Sequence, residues 1–267
     1  MTPRYREVAP PPALARHVHC LWLFEGEERE IQRVVPDGRC ELIVHYGAPY
    51  CEIAGARRVR QPRALFAGQL TRPLHLKPAG GAGVVAVRFR PTGARGFAGR
   101  GLSLLTDRRI ALADLHGRHR ADGLVRAIRG AADDAQRLAT MQDYVAARLA
   151  DGAVQDDAGI EACIALLERG AAPKALCRRV KLSPRQLQRR FAAIVGVPPR
   201  LLAAIIRFRR VFDALRDAEA RNWTEAAQAA GYFDQPQFAR DFRRFVGCTA
   251  GQFASGDQGL AASLAAA

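Results

Sequence analysis

The sequence predicts an α+β protein with a β-rich N-terminal domain, a helical connector and an all-α C-terminal domain. Three observations predict this. Short apolar runs broken by turn formers fill residues 14–91. Apolar residues at helical spacing replace them after Arg90-Pro91. One pattern also occurs twice, 51 positions apart: Leu187-x-Arg189-x-Phe191 followed by Gly196, and Phe238-x-Arg240-x-Phe242 followed by Gly247.

The first strand is expected in the aromatic-rich run at 17–24, with further strands at 31–35, 41–46, 64–67 and 84–89. Pro36-Asp37-Gly38, Gly47-Ala48-Pro49 and Ala79-Gly80-Gly81 supply turns between them. Many short strands at close spacing favour a small antiparallel barrel or sandwich. Residues 93–115 read as short helices and loops, and 119–130 and 134–150 as amphipathic helices. The polar stretch 151–157 marks the domain boundary. The expected divisions are 1–115 (β-rich), 116–157 (connector), 158–255 (paired helical units) and 256–267 (a disordered tail of small residues).

The helical units follow from periodicity and punctuation. Residues 160–169 carry Ile160, Cys163, Ile164 and Leu167 on one face, and Pro173 opens a second helix to about 180. Ser183-Pro184 puts a capping hydroxyl before a proline, a strong start for the helix 184–195. Leu187 and Phe191 share its buried face because they are four residues apart, while Arg185, Gln186, Arg189 and Arg190 lie off that face. Gly196-Val197-Pro198-Pro199 breaks the chain and begins a long helix to about 217. Residues 223–230, the turn at Gly231 and a helix over 235–246 capped by Asp234 repeat the arrangement. Phe238, Phe242 and Phe245 face inward there, leaving Gln235, Gln237, Arg240, Arg243 and Arg244 outward. A helix of about twenty residues spans about 30 Å, near the ~34 Å repeat of major-groove faces on one side of B-DNA. It can hold two recognition helices one DNA turn apart.

The charge balance agrees. The net formal charge is +15, and residues 158–256 hold 17 Lys and Arg against 8 Asp and Glu. Such an excess fits an anionic partner such as nucleic acid. No apolar run is long enough to span a bilayer, and MTPRYREVAPPP lacks the apolar stretch of a signal peptide. The expectation is a cytoplasmic protein with no membrane partner.

Residues 158–255 resemble the DNA-binding domain of AraC/XylS-family transcription regulators. The likeness rests on Leu182-Ser183-Pro184-Arg185-Gln186-Leu187-Gln188-Arg189-Arg190-Phe191, Gly196-x-Pro198-Pro199 and Arg207. It continues through Ala227-x-x-x-Gly231-Tyr232-x-Asp234-x-x-x-Phe238-x-Arg240-x-Phe242-x-x-x-x-Gly247. It implies that Arg185, Gln186 and Arg189 face the groove in the first unit, and Pro236, Gln237 and Arg240 in the second. Lys181 departs from the family's usual Gly, and left-handed backbone there carries strain. Cys248-Thr249-Ala250 lacks the usual Pro. Val34-Val35-Pro36-Asp37-Gly38, Glu41-Leu42-Ile43, Gly68-Gln69, Arg72-Pro73 and Val87-Arg88-Phe89-Arg90-Pro91-x-Gly93-Ala94 resemble, less specifically, a sensor-like domain that precedes this one. That likeness implies a cupin-like barrel that binds an effector or mediates dimerisation.

The expected function is sequence-specific DNA binding in transcription regulation, with both recognition helices in adjacent major grooves. The DNA-binding set is Ser183, Arg185, Gln186, Arg189, Arg190, Gln235, Gln237, Arg240, Arg243 and Arg244. Arg–guanine and Gln–adenine pairs supply base readout, and Arg243 and Arg244 hold phosphate. Double-stranded DNA is the principal partner; RNA polymerase, a small-molecule effector and a second copy of the chain complete the expectation. Two rival classes are a non-specific DNA-coating protein and an enzymatic barrel with accessory helices. No nucleophile–base pair, phosphate loop or metal cluster in the sequence supports an enzyme, so no catalytic residue and no cofactor is expected. His17-x-His19, His45 and His75 stand in the wrong order for a cupin metal set and read as hydrogen-bonded strand residues. The six cysteines, at 20, 40, 51, 163, 177 and 248, have neither C-x-x-C nor zinc-finger spacing and read as reduced. Cys20, Cys40 and Cys51 are one thiolate short of the four-cysteine zinc site of a DNA-repair methyl acceptor. Arg88 and Arg90 alternate along a strand and read as a polar outer face rather than a grip for an anionic effector.

Overall fold

A computed structural model describes residues 3–27, 29–151, 157–217 and 220–256. The expected tail therefore lies almost wholly outside the described residues, as does most of the expected boundary segment at 151–157.

Among the described residues the N-terminal part contains ten strands: β1 (Arg4–Val8), β2 (Val18–Gly26), β3 (Gln32–Val34), β4 (Glu41–His45), β5 (Cys51–Ala54), β6 (Arg57–Arg60), β7 (Ala64–Ala67), β8 (Leu74–Lys77), β9 (Ala82–Phe89) and β10 (Arg109–Ala111). They form two antiparallel sheets, ordered β1-β2-β9-β4-β7-β10 and β3-β8-β5-β6. The barrel is not closed, but two facing sheets remain compatible with a cupin-like domain. Strand β9 is buried along its whole length, as befits a Val-rich strand paired on both sides. The side chains of Leu21, Leu23, Leu42, Val44, Phe66, Val85, Val87 and Phe89 cover one face of the large sheet. Trp22, Phe24, Ile43 and Val84 lie on the other, packed with Tyr50 and Leu76 towards the small sheet. A bidentate pair between Arg109 and Glu52 (2.8 and 2.6 Å) ties β10 of the large sheet to β5 of the small one.

Four helices cover the outer face of the large sheet: α1 (Ala94–Ala98), α2 (Leu112–His116), α3 (Arg118–Gly130) and α4 (Asp134–Asp151). Leu124 and Ile128 of α3, and Leu138, Met141 and Val145 of α4, belong to the same apolar cluster as Leu42 and Phe89. The helices expected as a connector over 116–157 thus complete the core of the β domain as far as residue 151. His116 bridges the Tyr144 hydroxyl (2.9 Å) and the Phe97 carbonyl (2.8 Å) across that layer.

Arg88 reverses its expectation. It is 7% exposed and lies between the sheets, not on an outer face. Its guanidinium meets Glu41 at 2.8 Å, Glu7 at 3.0 Å and Asp37 at 3.8 Å, and Glu41 also accepts from the Trp22 indole at 3.0 Å. Burial opposes the charge on Arg88, but Glu41 and Asp37 outweigh it and hold the group protonated.

The C-terminal part contains α5 (Ala158–Glu168), α6 (Pro173–Val180), α7 (Pro184–Val195), α8 (Pro199–Arg216), α9 (Trp223–Ala229), α10 (Gln235–Val246) and α11 (Ala250–Gly256). The expected helix boundaries recur within two residues. Two apolar clusters share α8. Leu202 near its start packs with Ile160, Leu167, Leu187, Phe191 and Ile194 of the first unit. Ile205, Phe208, Val211 and Ala214 pack with Ala226, Phe238, Phe242 and Phe245 of the second.

One seam joins the two parts. The Gln69 side-chain amide donates to the carbonyl of Val195 at 2.8 Å and to that of Gly38 at 2.9 Å. The Thr106 hydroxyl donates to the Gly196 carbonyl at 2.5 Å, and Arg209 of α8 to the Asp37 carbonyl at 3.3 Å. Arg33 donates to the Cys248 sulfur at 3.2 Å, and Val35 is buried in the second unit's apolar cluster. The 34–38 and Gly68-Gln69 motifs therefore lie at the docking face between domains.

Candidate nucleic-acid interface

Each recognition helix is built by a cap, a pair of apolar anchors and a glycine stop. Ser183 caps α7: its hydroxyl accepts from the Gln186 N–H (3.4 Å), while Gln186 Oε1 accepts from the Ser183 N–H (3.0 Å), a reciprocal capping box. Leu187 and Phe191 are buried, so the intervening Arg189 points outward with Arg185. The helix stops at Gly196, whose φ of 96° suits glycine. In α10, Asp234 caps the Gln237 N–H (2.6 Å), Phe238 and Phe242 anchor the buried face, and Gly247 ends the helix at φ 87°. Arg240, Arg243 and Arg244 are exposed.

Not every expected residue has the same freedom. Arg185, Arg189, Arg240 and Arg243 make no ion pair among the described residues, and each stands on an exposed face. Arg244 lies over the ring of Phe245, 5.5 Å from its centroid. Arg190 instead pairs with Asp157 at 2.5 Å, beside the start of α5. Gln235 donates to the Thr224 hydroxyl at 3.4 Å. The two glutamines expected to read adenine are both occupied in capping. Gln186 Oε1 accepts from Ser183, and Gln237 Oε1 accepts from the Phe233 N–H at 3.3 Å. A bidentate pair with adenine needs that same oxygen, so as placed each glutamine offers chiefly its Nε2 donors.

Arg207, outside the expected DNA-binding set, lies half-buried between the helices. It pairs with Asp241 of α10 at 2.9 Å and lies 4.4 Å from the ring centroid of Tyr232, whose hydroxyl donates to the same carboxylate at 3.1 Å. Burial opposes its charge, but Asp241 and Tyr232 raise its pKa overall. The group fixes α10 against α8.

The seam touches the far ends of both recognition helices, at Val195, Gly196 and Cys248. The capped N-termini, which enter the groove in helix-turn-helix docking, are left exposed at Ser183, Arg185, Asp234 and Gln235. Lys181 adopts the left-handed conformation at φ 52° as its place in the turn requires, and Gly231 takes φ 87° in the second turn. An open groove of about 420 Å³ lies beside that second turn, bordered by Thr224, Gln228, Phe233, Gln235 and Ala239.

Elsewhere, no three His, Cys, Asp or Glu side chains among the described residues are placed to hold one metal ion. His45 is buried between the sheets beside the ring of Tyr50, and His75 accepts from Arg33 at 3.3 Å. All six cysteines are free thiols. No single helix among the described residues is long and apolar enough to cross a membrane.

Residues 6–111 match a family described as a domain of unknown function, and residues 176–256 match a family described as a helix-turn-helix domain. No curated protein matches the chain by sequence. Among solved structures, ToxT from Vibrio cholerae O395 is 11% identical over 89% of this chain and 97% of its own, at TM-score 0.47. An unsaturated-fatty-acid-bound ToxT from Vibrio cholerae strain SCE256 is 10% identical over 85% and 91%, at TM-score 0.45. The AraC-like transcriptional activator CuxR is 15% identical over 84% and 91%, at TM-score 0.30.

Proposed function

We propose that the C-terminal part of this chain, which matches a helix-turn-helix domain over residues 176–256, is of the AraC type, and that the protein is a sequence-specific, DNA-binding transcription regulator. It acts by binding rather than by catalysis, on double-stranded DNA in the cytoplasm. The observation that carries this reading is the doubled presentation of Arg189 and Arg240. Each is exposed between two buried anchors, on helices that pack against one shared spine, α8. At 18 residues that spine is about 27 Å long, a length suited to placing two helices in successive major-groove faces.

Arg185, Arg189 and Arg240 read base edges in this proposal, while Arg243 and Arg244 hold phosphate. Ser183 and Gln186, and Gln237 with Asp234, set the entry of each helix through their caps. Arg190 and Gln235 flank the contact. The N-terminal domain carries the input, a small-molecule effector or a second copy of the chain, and the seam through Gln69, Thr106 and Arg209 is its route to α7 and α8. Contact with RNA polymerase follows DNA binding in an activator.

Selection from random duplexes with the full chain tests the reading. One enriched motif is expected, and Arg189→Ala should lower affinity for it by about 1–3 kcal/mol, as loss of a bidentate base contact does. Retention of all duplexes alike, with no motif enriched, would identify a non-specific DNA-coating protein instead.

A further inference from the structure

We infer that Phe233 reads DNA in the second unit, by placing its phenyl ring against the C5-methyl group of thymine in the major groove; the inference rests on the DNA-binding reading above. It comes from comparing the two turns. In the first, the Leu182 N–H bonds to the carbonyl five residues back, Cys177 (3.3 Å), and the cap Ser183 follows at once. In the second, the Tyr232 N–H makes the equivalent bond to Ala227 (3.0 Å), but one more residue precedes the cap Asp234. The left-handed residues Lys181 and Gly231 confirm the alignment. The repeat is offset by 50 before the turn and by 51 after it. Phe233 is the extra residue.

Tyr232 takes the buried place that its position demands, edge-on to Phe238 at 5.3 Å. Phe233 is left 95% exposed, beyond every other large apolar side chain among the described residues, the next being Leu104 at 65%. A phenyl ring in water is unfavourable and gains by burial. Its anchor is nonetheless fixed, because the Phe233 N–H donates to Gln237 Oε1.

The surrounding polar groups are already used. Asp234 accepts from the Gln237 N–H, Gln235 donates to Thr224, and Pro236 has neither N–H nor polar side chain. At the position of Pro236, two past the cap, the first unit carries Arg185. The leading edge of α10 is therefore apolar where that of α7 is cationic. An apolar group on a base edge recognises the thymine methyl, which distinguishes thymine from cytosine and from uracil.

The test uses the full chain and the operator enriched by selection, with the thymines of its second half-site replaced one at a time by deoxyuridine, which removes only the methyl group. Wild type should lose about fourfold in affinity at a contacted thymine, the value of one buried methyl group. Phe233→Ala should melt at the wild-type temperature, bind the thymine operator more weakly by at least that factor, and no longer distinguish thymine from deoxyuridine. Wild type indifferent to every replacement would overturn the inference. So would a variant that keeps the discrimination, a second half-site without thymine, or a Phe233→Ala change that alters only the oligomeric state. Should the selection enrich nothing, the reading as a sequence-specific regulator itself fails; should it enrich a motif that tolerates deoxyuridine throughout, only the role of Phe233 fails.

Discussion

Gln69 donates one hydrogen bond to Val195, at the end of the first recognition helix, and another to Gly38 of its own domain. One buried amide thus spans 126 residues of chain and couples the β domain to α7. Gln69→Ala removes both bonds, each worth about 1 kcal/mol net. The variant should unfold in urea about 1–2 kcal/mol more easily. It should also lose more affinity for a two-half-site operator than for a single half-site, because a loosened seam leaves the units less preorganised. Equal losses on both duplexes would show that the seam does not organise the pair.

Arg88 sustains the interior of the β domain. Removing it leaves the half-buried Glu41 carboxylate without its cation, and Glu7, the more exposed of the two, without its partner. Breaking such a pair from one side is costly, and partial exposure of Glu7 moderates the cost. Arg88→Ala should destabilise the chain by about 3 kcal/mol, read from denaturant midpoints. A change under about 0.5 kcal/mol, the range of ordinary surface substitutions, would contradict the buried network.

His45 makes stability depend on pH. Burial holds its pKa at about 4. Both ring nitrogens are buried without a hydrogen-bond partner among the described residues. The folded state resists protonation while the unfolded chain takes up a proton near pH 6.5. Stability is therefore fully present above about pH 6.5 and falls as pH drops towards 4, by about 3 kcal/mol from this residue. Urea unfolding at pH 7.5 and 4.5 should show the fall, and His45→Leu should reduce it. The same slope in the variant would assign the dependence elsewhere.

Arg243 distinguishes phosphate contact from base reading. Arg243→Ala should weaken binding to all duplexes alike and reduce the slope of log affinity against log salt by about 1. An unchanged slope would remove Arg243 from the interface.

The helical half was largely legible because its signals are local: Ser183-Pro184, Asp234, Gly196 and Gly247 punctuate helices whose anchors recur at i and i+4. The role of the glutamines was not. A helix wheel places Gln186 on the open face but does not show its oxygen folded back onto Ser183. The 51-residue repeat likewise masked the extra turn residue, which the paired backbone bonds of Leu182 and Tyr232 and the left-handed Lys181 and Gly231 bring out. In the β half, β9 and β4 announced themselves as apolar runs. Strand β6, Arg57–Arg60, is exposed throughout at a sheet edge and offers no alternation to detect. Alternation placed Arg88 and Val87 on opposite faces but could not say which face was covered by helices and which by a second sheet. The shared core of α3 and α4 with the large sheet was hidden for a similar reason, since an amphipathic stripe does not name what it packs against.

The central claim is that α8 holds two DNA-reading helices on the same face of one duplex. Inserting five base pairs between the half-sites of the selected operator rotates one of them by about half a turn. Affinity should then fall to that of a single half-site, in direct titration with the full chain. Undiminished binding to the expanded operator would contradict the claim.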